Sequence, residues 1–162
     1  MTEHILSQDH HPTLRHPDRQ AIGAALQSAL VVLTDLALAG KHAHWNVIGP
    51  HFRTLHLQLD ELVDTWREAA DTVAERAVAL GHPVDGRAGF VAQRSELPQL
   101  GDGPLRDHDV VAALTGILTD AVERLRRDMD HADALDVVTG DLLHSIVATL
   151  EEQLWMVRVQ AA

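Results

Sequence analysis

The stretch that decides the fold runs from Lys41 to Gly81 and reads KHAHWNVIGPHFRTLHLQLDELVDTWREAADTVAERAVALG. Its apolar residues recur every three or four positions from about residue 51 to residue 80, which predicts one long helix. That helix carries four potential metal ligands, spaced by 4, 11 and 4 residues: His56, Asp60, Asp71 and Glu75. At about 100° per residue, the four positions fall within roughly 100° of arc on one face. Imidazole and carboxylate groups on one stripe indicate a metal site.

The axial spacing of these ligands prevents one chain from using all of them at once. A helix rises about 1.5 Å per residue, so each pair spans ~6 Å, but the two pairs are centred ~22 Å apart. Either each pair is a separate half-site, or a second copy completes it. An antiparallel two-fold dimer would place His56 and Asp60 of one chain opposite Asp71 and Glu75 of the other. The dimer axis would then pass near Trp66, which we expect to anchor the interface.

A simpler interpretation exists for each of these residues taken alone. The three carboxylates would ordinarily form a solvated helix face with partners such as Arg67 and Arg76. His44, at the end of the preceding apolar stripe, would ordinarily be a core histidine with a hydrogen-bond partner. The complete set, on one stripe and with complementary spacing, favours the metal site.

The remainder of the chain predicts an all-α domain. Helical periodicity indicates helices over about 18–47, 51–80, 107–131 and 139–159, and no alternating strand pattern is found. The connection over 82–107 is long for a loop and has a candidate short helix near 89–94. Four helices with one long connection between the second and third match a ferritin-like four-helix bundle, here over 18–162.

Composition limits the function classes. The chain has 162 residues, 46% of them hydrophobic, and a formal net charge of −11, which argues against nucleic acid and favours cations as partners. It has no cysteine, so a metal would be held by nitrogen and oxygen ligands, which suit iron, manganese or zinc. No apolar run of ~18 residues and no leader sequence are found, so we expect a cytoplasmic protein without a membrane partner.

Residues 1–17 are polar and rich in histidine. One interpretation is a flexible N-terminal arm without a role in binding. The other is a divalent-cation site that neighbouring subunits order, with four candidate ligands: Asp9, His10, His11 and His16.

The segments KHAHWNVIGPHF, LHLQLDEL and DTVAERAVALG resemble the Dps family of ferritin-like proteins, the DNA-binding proteins from starved cells. Weaker similarity continues through DVVTGDLLHSIVATLEEQLWMV in the last helix. The resemblance implies a hollow homododecamer with two-fold and three-fold interfaces. It also implies oxidation of Fe(II), with hydrogen peroxide preferred over dioxygen, and storage of Fe(III) as a mineral. Zinc or manganese are possible substitutes for iron.

The resemblance also implies the ferroxidase ligands. One subunit would supply His44, His56 and Asp60, and its two-fold mate would supply Asp71 and Glu75, with Lys41 and Trp45 beside the site. A ferritin-type site within one subunit would need Glu-x-x-His pairs, and the chain has none. That absence supports a site shared between subunits.

The chain departs from the family pattern in two places. Val137 and Val138 occupy positions that are acidic in many relatives, which line an iron-entry pore with aspartates. The candidates left for the pore are Asp141, which we prefer, and Asp136, Asp133 and Asp130. The N-terminal arm offers few cations for DNA, so binding near pH 7.5 should be weak or absent. Protonation of its histidines below pH ~6.5 should restore some binding.

Two other functions remain open from the sequence. The first is a nucleoid-binding structural protein that condenses and shields DNA, with a minor metal role; the composition of the arm argues against it. The second is a metallohydrolase on the same scaffold, for which no nucleophile or general base is identifiable beyond the ligands.

Overall fold

The structure is a computed structural model that describes residues 14–161. Four long helices and one short helix follow in order: α1 (His16–Asn46), α2 (Phe52–Ala79), α3 (Ala88–Arg94), α4 (Asp107–Asp133) and α5 (Val137–Arg158). A single turn of 3₁₀ helix, Val159–Ala161, ends the described chain. The long helices form the predicted ferritin-like four-helix bundle around one core, and α3 interrupts the crossover as expected.

The predicted helix boundaries are correct to within about two residues, and the deviations have local causes. The last helix begins at Val137, two residues earlier than predicted, because the carboxylate of Asp136 accepts a hydrogen bond from the Thr139 N–H and caps the helix. The first helix begins at His16 rather than Asp18, so it takes in the last two residues of the predicted arm.

The all-α prediction is confirmed, but one short pair of strands was not predicted. Residues Val47–Ile48 (β1) pair in parallel with Leu105–Arg106 (β2). This bridge joins the connection between α1 and α2 to the end of the crossover. Two residues are too few to leave an alternating pattern in the sequence, so periodicity could not reveal it.

The interface role predicted for Trp66 was also wrong. Its side chain is fully buried within the chain, and its indole N–H donates to Oε1 of Gln153 at 2.8 Å. A Cβ on Gly40 would come within 2.6 Å of the indole ring, so α1 and α2 pack closely there. Around the axis of α2, the four potential ligands lie between 0° and about 100° when His56 is set at 0°, and Trp66 lies at about 280°. It therefore points into the core.

The crossover is fixed along α1 by polar contacts. The Gln27 side chain donates to the carbonyl of Asp85 at 3.1 Å and accepts from the Asp85 N–H at 2.7 Å. Further along, the Ser95 hydroxyl donates to the Asp35 carboxylate. These contacts hold a long connection, whose regular structure is limited to α3 and β2, against the bundle.

Helix α1 is apolar enough to be compared with a membrane span. An 18-residue window within it has a mean hydropathy of 1.8, but 61% of that window is buried inside the bundle. Burial against other helices is typical of the central helix of a bundle.

Asp128 places a carboxyl group in the contact between α4 and α1. Within the described residues, Oδ2 of Asp128 is buried without a hydrogen-bond partner. Burial raises the pKa of Asp128 to about 6, although a hydrogen bond from Ser28 and the nearby charges of Arg127, His131 and Arg124 act in the opposite direction. An unfolded aspartate has a pKa near 3.9, so the folded state binds the proton more tightly.

We therefore expect Asp128→Asn to stabilise the protein at neutral pH. As the pH rises from about 4 to about 6, ionisation of the buried carboxyl group progressively lowers the free energy of unfolding. Above that range the full loss, about 1–3 kcal/mol, remains. Thermal unfolding of the variant and wild type at pH 4.5 and 7.5 should show a gain in melting temperature that is larger at pH 7.5. Asp130→Asn, at an exposed position on the same helix, is the control; an equal gain there would contradict the assignment.

Candidate metal centre

His44 and His56 hold each other through a reciprocal pair of hydrogen bonds. Nδ1 of His44 lies 2.9 Å from the carbonyl oxygen of His56, and Nδ1 of His56 lies 3.0 Å from the carbonyl oxygen of His44. A carbonyl oxygen only accepts, so each Nδ1 carries a proton and donates it. In the neutral imidazoles, both Nε2 atoms are then left unprotonated as ligand atoms. The rings stack with centroids 3.7 Å apart and planes at 21°.

This arrangement follows from local sequence. His44 lies in the last turn of α1 and His56 in the first turns of α2, and the short connection between them folds α2 back along α1. The two histidines thus orient each other through backbone carbonyls, as the second hydrogen bond of a ligating histidine commonly does.

Asp60 adds a carboxylate one helical turn after His56. Its Oδ1 lies 3.3 Å from Nδ1 of His44 and 2.6 Å from the ammonium nitrogen of Lys41. The hydrogen bond from Lys41 is the main cause that lowers the pKa of Asp60, with the charges of His44, Lys41 and His56 acting in the same direction against desolvation. The carboxylate is therefore ionised at neutral pH and able to bind a cation.

The three residues form the one cluster of potential metal ligands found in residues 14–161, with ligand atoms that all lie within 4.8 Å of one another. His44 is buried, whereas the Asp60 side chain is 45% exposed. The cluster is thus fixed on its protein side and open on the other. Two exposed aromatic side chains, Trp45 and Phe52, lie at its rim; the ring centroids of Phe52 and His56 are 5.0 Å apart.

Asp71 and Glu75 are exposed on α2 and do not join this cluster within one chain. This agrees with the axial spacing, which places them ~22 Å away along the helix. Their role as ligands for a second copy stays a prediction.

Comparison with known proteins identifies the family. The family model named Ferritin, described as a ferritin-like domain, matches residues 23–162. The DNA protection during starvation protein of Mycolicibacterium smegmatis is 33% identical over 151 residues, which cover 91% of this chain and 80% of that protein. The chain belongs to the Dps family of ferritin-like proteins.

Other similar proteins agree on the fold of this Dps family member. The solved structure of DpsA14 from Streptomyces coelicolor superposes with a TM-score of 0.89 at 34% identity, covering 92% of this chain and 89% of that one. The fine tangled pili major subunit of Haemophilus ducreyi is 35% identical over 137 residues, covering 85% of this chain and 72% of that protein. The dodecameric shell expected from the sequence is consistent with membership of the Dps family.

The pore candidates in this Dps chain lie around the turn between α4 and α5, and they fall into two groups. Asp130, Asp133 and Asp141 are exposed. Asp136 is engaged instead: Oδ2 is 2.6 Å from Nη2 of Arg76 and also accepts hydrogen bonds from Thr139. These bonds fix the start of α5 against α2, which speaks against Asp136 as a pore ligand. The assignment of the other three stays a prediction.

The remaining predicted residues of the Dps chain have the following places. Lys41 contacts Asp60 as described, and its ammonium lies 5.9 Å from the ring centroid of Trp45. His16 is the first residue of α1 and has Nδ1 3.4 Å from Nη2 of Arg19. The other members of the proposed N-terminal metal site, Asp9, His10 and His11, lie outside the described residues.

Phe52 was missed at the metal centre, although its position four residues before His56 places it on the same helix face.

Proposed function

We propose that this protein is a ferroxidase and iron-storage protein. It oxidises Fe(II) with hydrogen peroxide and stores Fe(III) as a mineral inside a dodecameric shell, which protects the cell against oxidative stress. The observation that carries the proposal is the reciprocal pairing of His44 and His56, which leaves two imidazole nitrogens as ligands beside an ionised Asp60. Membership of the Dps family supports it.

The ligand set suits Fe(II) as a substrate that binds, reacts and leaves. Two imidazoles and a carboxylate bind divalent iron but occupy only part of its coordination shell. The open side of the cluster leaves room for peroxide and for a second iron. One hydrogen peroxide molecule accepts one electron from each of two Fe(II) ions and combines with two protons. The products are two Fe(III) ions and two water molecules. Zinc or manganese would bind to the same ligands and compete.

A second subunit would complete the site. The exposed Asp71 and Glu75 are the carboxylates that a two-fold mate can offer, and the aromatic rim of Trp45 and Phe52 gives such a mate an apolar surface to cover. Burial of the site between subunits would keep the reacting oxidant away from bulk solvent.

The net negative charge of the subunits favours cations rather than DNA as partners. Each subunit contributes a net charge of −11, so Fe(II) is attracted and DNA repelled at neutral pH. We expect the protein to act in the cytoplasm, with weak or absent DNA binding there.

Stoichiometry tests the proposed reaction. Fe(II) is added anaerobically to the purified protein, peroxide is titrated in, and Fe(III) absorbance is recorded. The rise should end at about one peroxide per two Fe(II), because a two-electron reduction consumes two metal ions. Prior loading with zinc should slow the rise by occupying the same ligands. An end point at one peroxide per Fe(II), with hydroxyl radical released, would contradict the mechanism.

A further inference from the structure

The side chain of Phe52 contacts a residue of the metal centre directly. Its ring centroid lies 5.0 Å from that of His56, with the ring planes inclined by 34°. The ring of His44 stacks on the same imidazole with centroids 3.7 Å apart and planes at 21°. The imidazole of His56 therefore packs against two rings, one from α1 and one from its own helix. Trp45, the other aromatic residue at the rim, has its ring centroid 5.9 Å from the ammonium of Lys41 instead.

His56 has less protein around it than His44 has. The His44 residue is only 7% exposed, so core packing fixes its ring, whereas His56 is partly exposed. The hydrogen bond from Nδ1 of His56 to the carbonyl oxygen of His44 holds one corner of the imidazole. The direction of a hydrogen bond at a carbonyl oxygen is broadly distributed, so this bond alone permits the ring to tilt. The two rings packed on His56 limit that tilt, and with it the direction in which Nε2 points.

The main chain fixes Phe52 in place for this contact. Phe52 is the first residue of α2, and its N–H donates to the carbonyl of Gly49 at 3.1 Å. Gly49 has a φ of +134°, and a Cβ there would come within 2.5 Å of the carboxyl carbon of Asp107. Asp107 in turn accepts the backbone N–H of His51 at 2.8 Å. The turn before Phe52 is therefore anchored, and His56 follows one helical turn later on the same face.

The ring of Phe52 also favours the metal-bound form of the imidazole. An imidazole that binds a divalent ion takes on part of its positive charge, and an aromatic ring attracts positive charge within about 6 Å of its centroid. A surface for a second subunit to cover needs only an apolar side chain, which leucine would supply equally well. The contact with His56, in contrast, requires a ring.

We propose that Phe52 is a positioning residue of the metal centre. Its ring holds the imidazole of His56 in the orientation in which Nε2 binds a divalent cation, while the hydrogen bond to the His44 carbonyl sets the tautomer. This role rests on the metal centre proposed above, and it predicts a change in metal affinity rather than in the rate of the occupied site.

Cobalt(II) binding tests this role in the absence of any oxidant. The full-length assembly is titrated by calorimetry, and the binding that remains in the His56→Ala/Asp60→Ala protein is subtracted. Phe52→Leu should weaken the remaining binding about 3- to 10-fold, the range that an aromatic pair contributes to an equilibrium constant. Phe52→Tyr, which keeps the ring, should bind cobalt(II) as wild type does.

Oxidation kinetics give a second measurement that a purely structural role would not reproduce. With peroxide as oxidant, the Fe(II) concentration that gives half the maximal rate should rise in Phe52→Leu by the same factor as the cobalt(II) dissociation constant. The rate at saturating Fe(II) should stay within about twofold of wild type, because the occupied site is unchanged.

The matched control is Phe90→Leu, the same substitution at the other phenylalanine of the chain. Phe90 lies on α3, where its ring centroid is 5.6 Å from the Arg94 guanidinium, and its replacement should leave cobalt(II) binding unchanged. Equal cobalt(II) affinity in Phe52→Leu and wild type, an equal loss in the control, or a failure of Phe52→Tyr to match wild type would overturn the role of Phe52.

Particle size separates positioning from assembly. If Phe52→Leu changes the size of the particle, Phe52→Met takes its place, and loss of assembly in both variants would assign Phe52 to a contact between subunits and overturn the proposal. A wild type that binds no more cobalt(II) than the His56→Ala/Asp60→Ala protein would instead refute the metal centre itself.

Discussion

Fe(III) formation after peroxide addition should slow by at least about 100-fold when His56→Ala and Asp60→Ala are combined. The pair supplies one of the two imidazole nitrogens and the one carboxylate of the cluster. His44 should keep its orientation, because its partner is the backbone carbonyl of residue 56, which the substitution retains. The loss therefore reports on ligands rather than on the position of the remaining histidine.

The fold should survive this change. His56 and Asp60 are partly exposed and do not belong to the apolar core. The substitution removes the carboxylate that pairs with the ammonium of Lys41. Because the Lys41 side chain is partly exposed, water can solvate this ammonium. Circular dichroism and particle size should match wild type.

A matched control separates a ligand effect from a general loss of charge. His131→Ala with Asp64→Ala removes the same residue types from exposed positions outside the cluster. This control should oxidise iron at the wild-type rate. If wild type and the His56/Asp60 variant react equally fast, the assignment of the centre is wrong.

The sequence predicted the fold well because the bundle depends on periodicity. The apolar positions of the long helices repeat with helical spacing over many residues, so their existence and order could be read directly. The parallel bridge between Val47–Ile48 and Leu105–Arg106 could not be predicted, because it depends on the packing of two distant connections.

Predictions from axial position alone were less secure. The interface role of Trp66 was inferred from its place halfway between the two ligand pairs, but its angular position directs it to Gln153 in the core. Asp136 was a pore candidate because many relatives carry aspartates before the last helix. In the structure it pairs with Arg76, which lies 60 positions away in the sequence. Long-range ion pairs of this kind leave no local pattern.

The ligand cluster itself was partly visible in the sequence. Spacing placed His56 and Asp60 on one face, whereas His44 joined them as a ligand only through the resemblance to the Dps family. The reciprocal bonds that set both tautomers were not predictable, because they depend on the distance between the backbones of α1 and α2.

The proposed sharing of sites between subunits should give the second large effect. Asp71→Ala with Glu75→Ala should lose most ferroxidase activity, as His56→Ala with Asp60→Ala does, because each removes one half of every site. Co-expression of the two variants, with different tags on the two chains, should restore activity. Random pairing makes half of the two-fold dimers mixed, and each mixed dimer has one intact site of two, so about one quarter of wild-type activity returns.

This recovery is specific to a shared site. If all ligands acted within one chain, every chain in the mixture would carry a defect and the activity would stay at the level of the single variants. The control is the same two variants purified separately and combined without subunit exchange, which should remain inactive. Wild-type activity in the Asp71/Glu75 variant would remove those residues from the site. A stable monomer in solution would remove the shared site altogether, because His56 and Asp60 would then have no mate to face.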